Sequence, residues 1–589
     1  MSQEKDQAQS VLESAVQNQP PKRGCQRGCQ GCLIAVAILA VPLVWFNIPT
    51  PLRVSKETTY VLGPMTADGK RIDYFRAMEE RLYPPEMKTD DNGYRLIVRA
   101  TGDRERSTGC CEDKKLLDPE PYRSQVYAKL GLDPNEKPTL KAIESPDANA
   151  YLYKYDQENP PAEGEESQQR KFGSTMTWTF DDFPILKDWL DENTAGIDLL
   201  GEAVRKPAFF IPRVRKHEND PIFESWGFEE AVMMREWARA VSARARYRIG
   251  IGDIDGAIYD VMTIRHLGRH AGKQGTLIMG FVGMAIEGMG VATGVGGNSE
   301  YPPTKEQIER LVREIDALPP RATLNEVFES ERYFGLASTQ DMYWGNSPGF
   351  FDEDPFPYFR LLLPGMTWSI DINIALTRLN NVYDTLLMSD DKTLHDVLAP
   401  SGNPYNPFPL LFIRSRTNRL SDTLIQLLRP SVHNAKTWRE RIECLENMQR
   451  LTLALLLYEK EHGSLPEGDW REALLETADG RRQTAAEFRC PSHPGLADDE
   501  TTYAMVGNVP NVTPSPNQIL LVEIREPQKL GEGDGRISFE QATFKTGLGS
   551  HHVGGINVGF RSGAVRFIVE NIDSEKLKKL LDGTGTEFQ

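Results

Sequence analysis

The residues able to do chemistry gather in the last quarter of this 589-residue chain. Cys490-Pro-Ser-His493 offers a thiol and an imidazole at ligand spacing, and His551-His552 brings two more imidazoles downstream. Thiolate with imidazole suits zinc, so Cys490, His493, His551 and His552 are the metal candidates, with Cys444 as a further ligand. Two other readings compete. Cys444 and Cys490 could instead form a disulfide outside the cytoplasm, or both could be free buried thiols. In those cases His551 and His552 cap the entry to a hairpin, where Gly554-Gly555 lets backbones approach closely. The residues alone leave all three open.

Other motifs fail on a required part. Gly345-Asn-Ser-Pro-Gly349 spells a nucleophile elbow, but the residue after Ser must donate an N–H to the oxyanion hole and Pro348 has none. His266-Leu-Gly-Arg-His270 places two imidazoles on one helix face, with Leu267 where a zinc protease needs its general-base Glu. Gly531-Glu-Gly-Asp-Gly-Arg-Ile resembles half of a calcium loop; the flanking positions that need acids hold Leu530 and Gln541. No catalytic residue and no cofactor is assigned, so the expected protein is not an enzyme.

The elements that must position these residues begin with an address. Residues 33–46 carry no charge, follow Lys22, Arg23 and Arg27, and end at Trp45-Phe46. A bilayer core takes roughly 20 apolar residues as helix, so residues 31–49 are expected to be a transmembrane anchor that binds the lipid bilayer. A cleaved signal peptide is the competitor, but no small-x-small cleavage pattern follows. The basic flank puts the amino terminus in the cytoplasm and the body outside it, as a single-pass cell-membrane protein. Cys25, Cys29 and Cys32 match an iron–sulfur spacing, yet beside a membrane helix they read as juxtamembrane thiols or lipid-attachment positions. Seven cysteines in 589 residues make no disulfide scaffold, and a net charge of −17 opposes nucleic-acid binding. A protein partner is expected but not identified.

Patterning predicts a multidomain α and α+β protein. Residues 1–30 are a disordered tail, 31–49 the anchor, 50–101 a small α+β segment and 102–172 a linker or long loops. In 50–101, Tyr60-Val61-Leu62 and Tyr94 to Ala100 read as strands and Tyr74 to Leu82 as a helix. Residues 173–430 form a mainly helical domain, and 431–589 an α+β domain of one helix and an antiparallel sheet. Within the helical domain, 243–260 read as two antiparallel helices around a Gly/Asp turn, similar to one tetratricopeptide-type unit without a second copy. After Pro430, Leu445, Met448, Thr452, Leu455 and Leu456 make an apolar stripe, and the segments around Arg561-Ser-Gly563 read as a hairpin.

Cys444-Leu-Glu-Asn-Met-Gln-Arg-Leu-Thr-Leu-Ala-Leu, Tyr458, His462-Gly-Ser-Leu-Pro466, Cys490-Pro-Ser492 and Thr502-Tyr503 follow a familiar order. So does Ser550-His-His-Val-Gly-Gly-Ile-Asn-Val-Gly-Phe-Arg-Ser-Gly-Ala-Val565, with Ser562 where the pattern has Asp. Together they resemble the head domains of bacterial type IV pilin-like and pseudopilin-like proteins, over about a quarter of the chain. The resemblance implies a helix packed on an antiparallel sheet. It does not imply a fibre, because the apolar segment is not continuous with the head helix and lacks the Glu that pilin assembly uses. The reading is therefore a membrane-anchored interaction or envelope-organising protein with a pilin-like head; the alternative is a metal-dependent envelope enzyme using the Cys and His residues above.

Overall fold

A computed structural model describes residues 50–585, except 345–369, 389–412 and 476–483 and shorter breaks within 84, 104–119, 144–146, 163, 216–228, 494 and 508–513. The expected tail and anchor (1–49), Cys25, Cys29, Cys32 and the 345–349 turn lie outside the described residues. Among those described, no helix is long and apolar enough to cross a membrane.

The amino-terminal part corrects two expectations. Tyr60-Val61-Leu62 forms a turn, and Tyr94 to Ala100 is helical, so 50–101 holds helices α1 (Tyr74–Leu82) and α2 (Gly93–Thr101) and no named strand. The Asn92 side chain caps α2 by accepting the Tyr94 N–H at 3.1 Å. Tyr94, Ile97 and Val98 are its buried residues, and their spacing is helical rather than alternating. The expected linker likewise contains α3 (Glu120–Leu130), α4 (Ala148–Glu158) and α5 (Gln168–Ser174), plus the short ladder β1 (Ser107–Thr108) with β2 (Lys115–Leu116). Its apolar residues are few, but Val126, Leu130, Leu152 and Phe172 are all buried in one core with Trp178 and Trp189. Composition had registered the polar surface of these helices and not their sparse inner contacts.

The body continues through α6 (Leu186–Ala203), α7 (Glu229–Gly250), α8 (Ile254–Gly272), α9 (Leu277–Thr293), α10 (Lys305–Asp316), α11 (Leu324–Tyr343) and α12 (Ile372–Met388). The turn between α7 and α8 is the expected Gly/Asp one: Gly252 takes φ +79, and Asp253 caps α8 through the Gly256 N–H at 3.0 Å. Arg244 on α7 grips the fully buried Asp260 on α8 with two bonds of 3.0 and 2.6 Å.

The expected boundary at 430/431 falls inside a helix. α13 (Ile413–His462) runs 50 residues through Pro430 and leads into α14 (Trp470–Leu475). The carboxyl-terminal sheet has strands β3 (Glu500–Gly507), β4 (Ile519–Lys529), β5 (Arg536–Ser538), β6 (Gly555–Phe560) and β7 (Val565–Val569) in the order β5-β3-β4-β6-β7. All pairings are antiparallel except β3 with β5, and α15 (Ser574–Leu581) closes the chain. The β6–β7 hairpin turns at Gly563, φ +76, as its sequence predicts.

α13 is buried on two sides. Cys444, Met448, Leu451 and Leu455 pack on the sheet residues Tyr503, Met505, Leu521 and Val565. Leu453 and Leu456 pack instead with Ile254, Val261 and Leu311 of the body. Between them, Glu446 receives Arg265 at 2.7 Å, Arg321 at 2.7 Å and Arg269 at 3.4 Å, while Glu287 of α9 takes Arg321 at 2.9 Å and Arg269 at 3.1 Å. Arg265 also donates to Gln449 at 2.8 Å, and Gln449 reaches the Gly563 carbonyl at 3.5 Å. The hairpin turn meets the end of α9 directly: the Ser562 carbonyl accepts from Gly296 at 2.9 Å and Val295 at 3.3 Å. Gly294, φ +64, sits so close that a Cβ there would lie 2.8 Å from Ala564.

Burial opposes ionisation of Glu446, but Arg265, Arg321, Arg269 and Arg450 overcome it and hold its carboxyl down at about 2, from an ordinary 4.5. A depressed carboxyl stabilises the fold fully above pH 4.5 and loses that contribution as pH falls towards 2. At ~1.4 kcal/mol per pH unit, that is roughly 3 kcal/mol. Denaturant unfolding followed across this window should therefore lose about that much more in the wild type than in Glu446→Gln; parallel pH curves for the two would count against the network.

Candidate metal centre

The sheet and α13 bring four donors together. Cys444 comes from α13, Cys490 from the loop after a short 3₁₀ turn (Ala485–Phe488), Glu523 from the middle of β4 and His552 from the loop before β6. One ligand atom of each lies within 4.8 Å of all the others, and all four residues are buried. Among the described residues this is the group with metal-binding geometry. His552 Nε2 is 3.4 Å from Cys490 Sγ and 3.3 Å from Glu523 Oε1; Cys444 Sγ is 3.0 Å from Glu523 Oε1.

Local structure explains each placement. A helix turns 100° per residue, so Cys444 and Glu446, two apart, face opposite ways: Glu446 to the body arginines, Cys444 to the sheet. Cys490 is fixed by its N–H on Thr502 Oγ1 at 2.9 Å. Glu523 accepts the Asn557 backbone N–H of β6 through its second oxygen at 2.6 Å. Ser492 Oγ stands 3.3 Å from His552 Nδ1, leaving Nε2 directed at the sulfur and carboxylate. Cys444 Sγ accepts from Tyr503 Oη and Asn557 Nδ2, each at 3.2 Å.

The electrostatics are those of ions kept by one another. Burial pushes the Cys444 thiol well above its ordinary range. The hydrogen bond from Cys444, with help from His552, brings the Cys490 thiol down to about 7 against the opposing effect of burial. Burial opposes the charge on His552, yet its bonds to Cys490 and Glu523 lift it to about 10. Glu523 stays below its ordinary value despite complete burial, because His552 and the Asn557 N–H favour the carboxylate.

Of the sequence candidates, Cys490 and His552 join this cluster, as does Cys444. Cys444 and Cys490 are adjacent free thiols, not a disulfide. His493 and His551 lie apart from it, ring to ring at 4.4 Å, on the wall of an adjoining cavity of about 320 Å³ that Cys490, Glu523 and His552 also line. Sequence reasoning missed Glu523. Its signal was an acid in Gln518-Ile-Leu-Leu-Val-Glu-Ile, otherwise a buried apolar strand, where an unpaired charge is costly.

The remaining candidates are structural. His270 Nε2 lies 2.9 Å from the Val204 carbonyl, with its ring stacked on Phe209, and burial lowers both His266 and His270 to about 4. Gly531, Gly533 and Gly535 all adopt positive φ in the turn after β4, where the Gly535 carbonyl accepts the Trp470 indole N–H at 2.7 Å.

A family model described as a protein of unknown function (DUF1559) matches residues 527–575. That stretch holds β5, His551-His552, β6 and β7, and it resembles that family without covering Cys444, Cys490 or Glu523. No curated protein and no solved structure matches the chain.

His552→Ala leaves Glu523 buried without its cation and should cost ~3 kcal/mol, whereas His551→Ala on the cavity wall should stay within about 0.5 kcal/mol of wild type. Thermal unfolding of the two variants checks this, and equal losses would show that the two imidazoles are not distinguished as described.

Proposed function

We propose that this chain is a single-pass membrane-anchored protein whose folded part stands outside the cytoplasm and works by interaction or envelope organisation, with its carboxyl-terminal domain a pilin-like head kept as a module. The observation that carries the reading is how the chain begins after the uncharged run. Thr50 Oγ1 donates to Asp371 at 2.8 Å, the Arg53 N–H donates to Asn373 Oδ1 at 2.7 Å, and Asn373 Nδ2 donates to the Pro51 carbonyl at 2.9 Å. The residues that follow the proposed anchor are thus tied to the start of α12, and in the anchored reading this tie keeps the body close to the membrane.

The head supports the same reading. A long helix across an antiparallel sheet is the arrangement the pilin-like resemblance implies. In a fibre-forming pilin that helix continues into an apolar stem. Among the described residues α13 begins Ile413-Arg-Ser-Arg-Thr-Asn-Arg, with Thr417 and Ser421 buried, a start unlike the uncharged stem of a fibre-forming pilin.

A metal-dependent envelope enzyme is the second reading, favoured by the cavity of about 320 Å³ beside Cys490, Glu523 and His552. It requires one of four protein donors to give way to a substrate, since catalytic zinc sites keep a position open.

Carbonate-washed membranes should retain the full-length protein, and protease added to spheroplasts should digest everything beyond residue 50. Deleting 33–46 should release it into the soluble fraction. Recovery of the intact protein in that fraction, or complete protection of the body in spheroplasts, would refute the anchored, external reading.

A further inference from the structure

We infer that Cys444, Cys490, Glu523 and His552 form a closed, four-coordinate zinc site that fastens the long helix to the sheet of the carboxyl-terminal domain. The proposal is independent of where the protein is anchored.

Geometry argues first. Zinc bonds of about 2.3 Å to sulfur and about 2.0–2.2 Å to nitrogen and oxygen give tetrahedral edges of roughly 3.4–3.8 Å. The Cys490–His552 separation of 3.4 Å and the His552–Glu523 separation of 3.3 Å are already near those edges. The Cys444–Glu523 pair, at 3.0 Å, needs to open by only about half an ångström. All four donor atoms lie within 4.8 Å of one another.

The surroundings argue second. Metal ligands are usually held by a second partner that fixes their orientation. Here Glu523 has the Asn557 N–H, His552 has Ser492, Cys444 has Tyr503 and the Asn557 amide, and Cys490 has Thr502 through its backbone. Cys444 Sγ also donates to Glu523 Oε1 at 3.0 Å, a contact that zinc would replace on taking the place of the thiol proton.

Charge argues third. His552 can match one negative charge in this core, that of Glu523, so thiolates at Cys444 and Cys490 need a further cation. On binding, the two sulfurs and the imidazole nitrogen each give a lone pair to the metal and release their protons to solvent. Zinc with two thiolates, one carboxylate and a neutral imidazole leaves one net negative charge. Arg441, one turn before Cys444 and lying over Phe567 at 3.7 Å, stands where it attracts both Glu523 and Cys444. The thiol pair selects a soft, borderline cation over calcium or magnesium, and the absence of an open position gives the ion a structural role.

The test uses full-length protein purified in detergent under reducing conditions. Elemental analysis should find one zinc per chain. Cobalt exchanged into the site should show a thiolate-to-cobalt charge-transfer band and the intense visible bands of tetrahedral coordination. Cys490→Ser and Glu523→Gln should each abolish the site or weaken zinc at least tenfold, and Asn557→Ala about 10–100-fold. His493→Ala and His551→Ala should bind as wild type does. Should the ligand variants fail to fold, the wild-type cobalt spectrum decides alone. A Cys444–Cys490 disulfide in freshly isolated protein, failure of reduced wild type to take up zinc or cobalt, or a cobalt spectrum without thiolate ligation would each overturn the assignment. Loss of metal on replacing His493 or His551 would do so as well.

Discussion

Two buried carboxylates and three arginines hold this molecule together as one piece. Glu446 and Glu287 share Arg265, Arg269 and Arg321 at the seam where α8, α9 and α13 meet. Charges placed there are costly unless every one is matched, so the seam tolerates only one rotation of α13 about its axis. That rotation sends Glu446 to the body and Cys444 to the sheet. Everything described in the carboxyl-terminal domain, from the packing of Met448 and Leu451 to the convergence of the four donors, depends on it. The hairpin turn is caught by the same seam through Gln449 and the Gly563 carbonyl.

Much of the architecture was legible where a local rule governs it. The α7–α8 turn announces itself in Gly252-Asp253, and the β6–β7 hairpin in Gly563, because positive φ and capping are properties of single residues. Illegible parts depended on partners far along the chain. The segment 94–100 alternates well enough for a strand and becomes a helix through the Asn92 cap and burial of Tyr94, Ile97 and Val98. α13 reads as one apolar stripe after Pro430 because its second buried face is partly charged: Glu446 and Gln449 look like solvent residues until the arginines of α8 are placed opposite.

The candidate site divides the same way. Cys490 and His552 could be picked out by type and spacing, while His493 and His551 were equally plausible by letters and stand on a cavity wall instead. What separates them is depth, which the sheet decides. Glu523 is a donor only because β4 runs centrally, between β3 and β6, and turns its acid towards α13. Ser562 shows the converse. Nothing in its type announces depth, yet it is buried at the hairpin turn, where its carbonyl accepts from Gly296 and Val295.

α13 also acts as a ruler. Its early residue Thr417 accepts the Asp371 N–H at 2.8 Å, and Asp371 accepts from Thr50 at 2.8 Å, so the first part of the helix lies beside residue 50. Cys444 comes 27 positions after Thr417 (444 minus 417) on the same helix, or about 40 Å at 1.5 Å per residue. A span fixed by helical rise does not shorten or stretch with conditions as a coil would. The sheet domain is therefore carried at a set standoff from residue 50, a distance comparable to the width of a small protein.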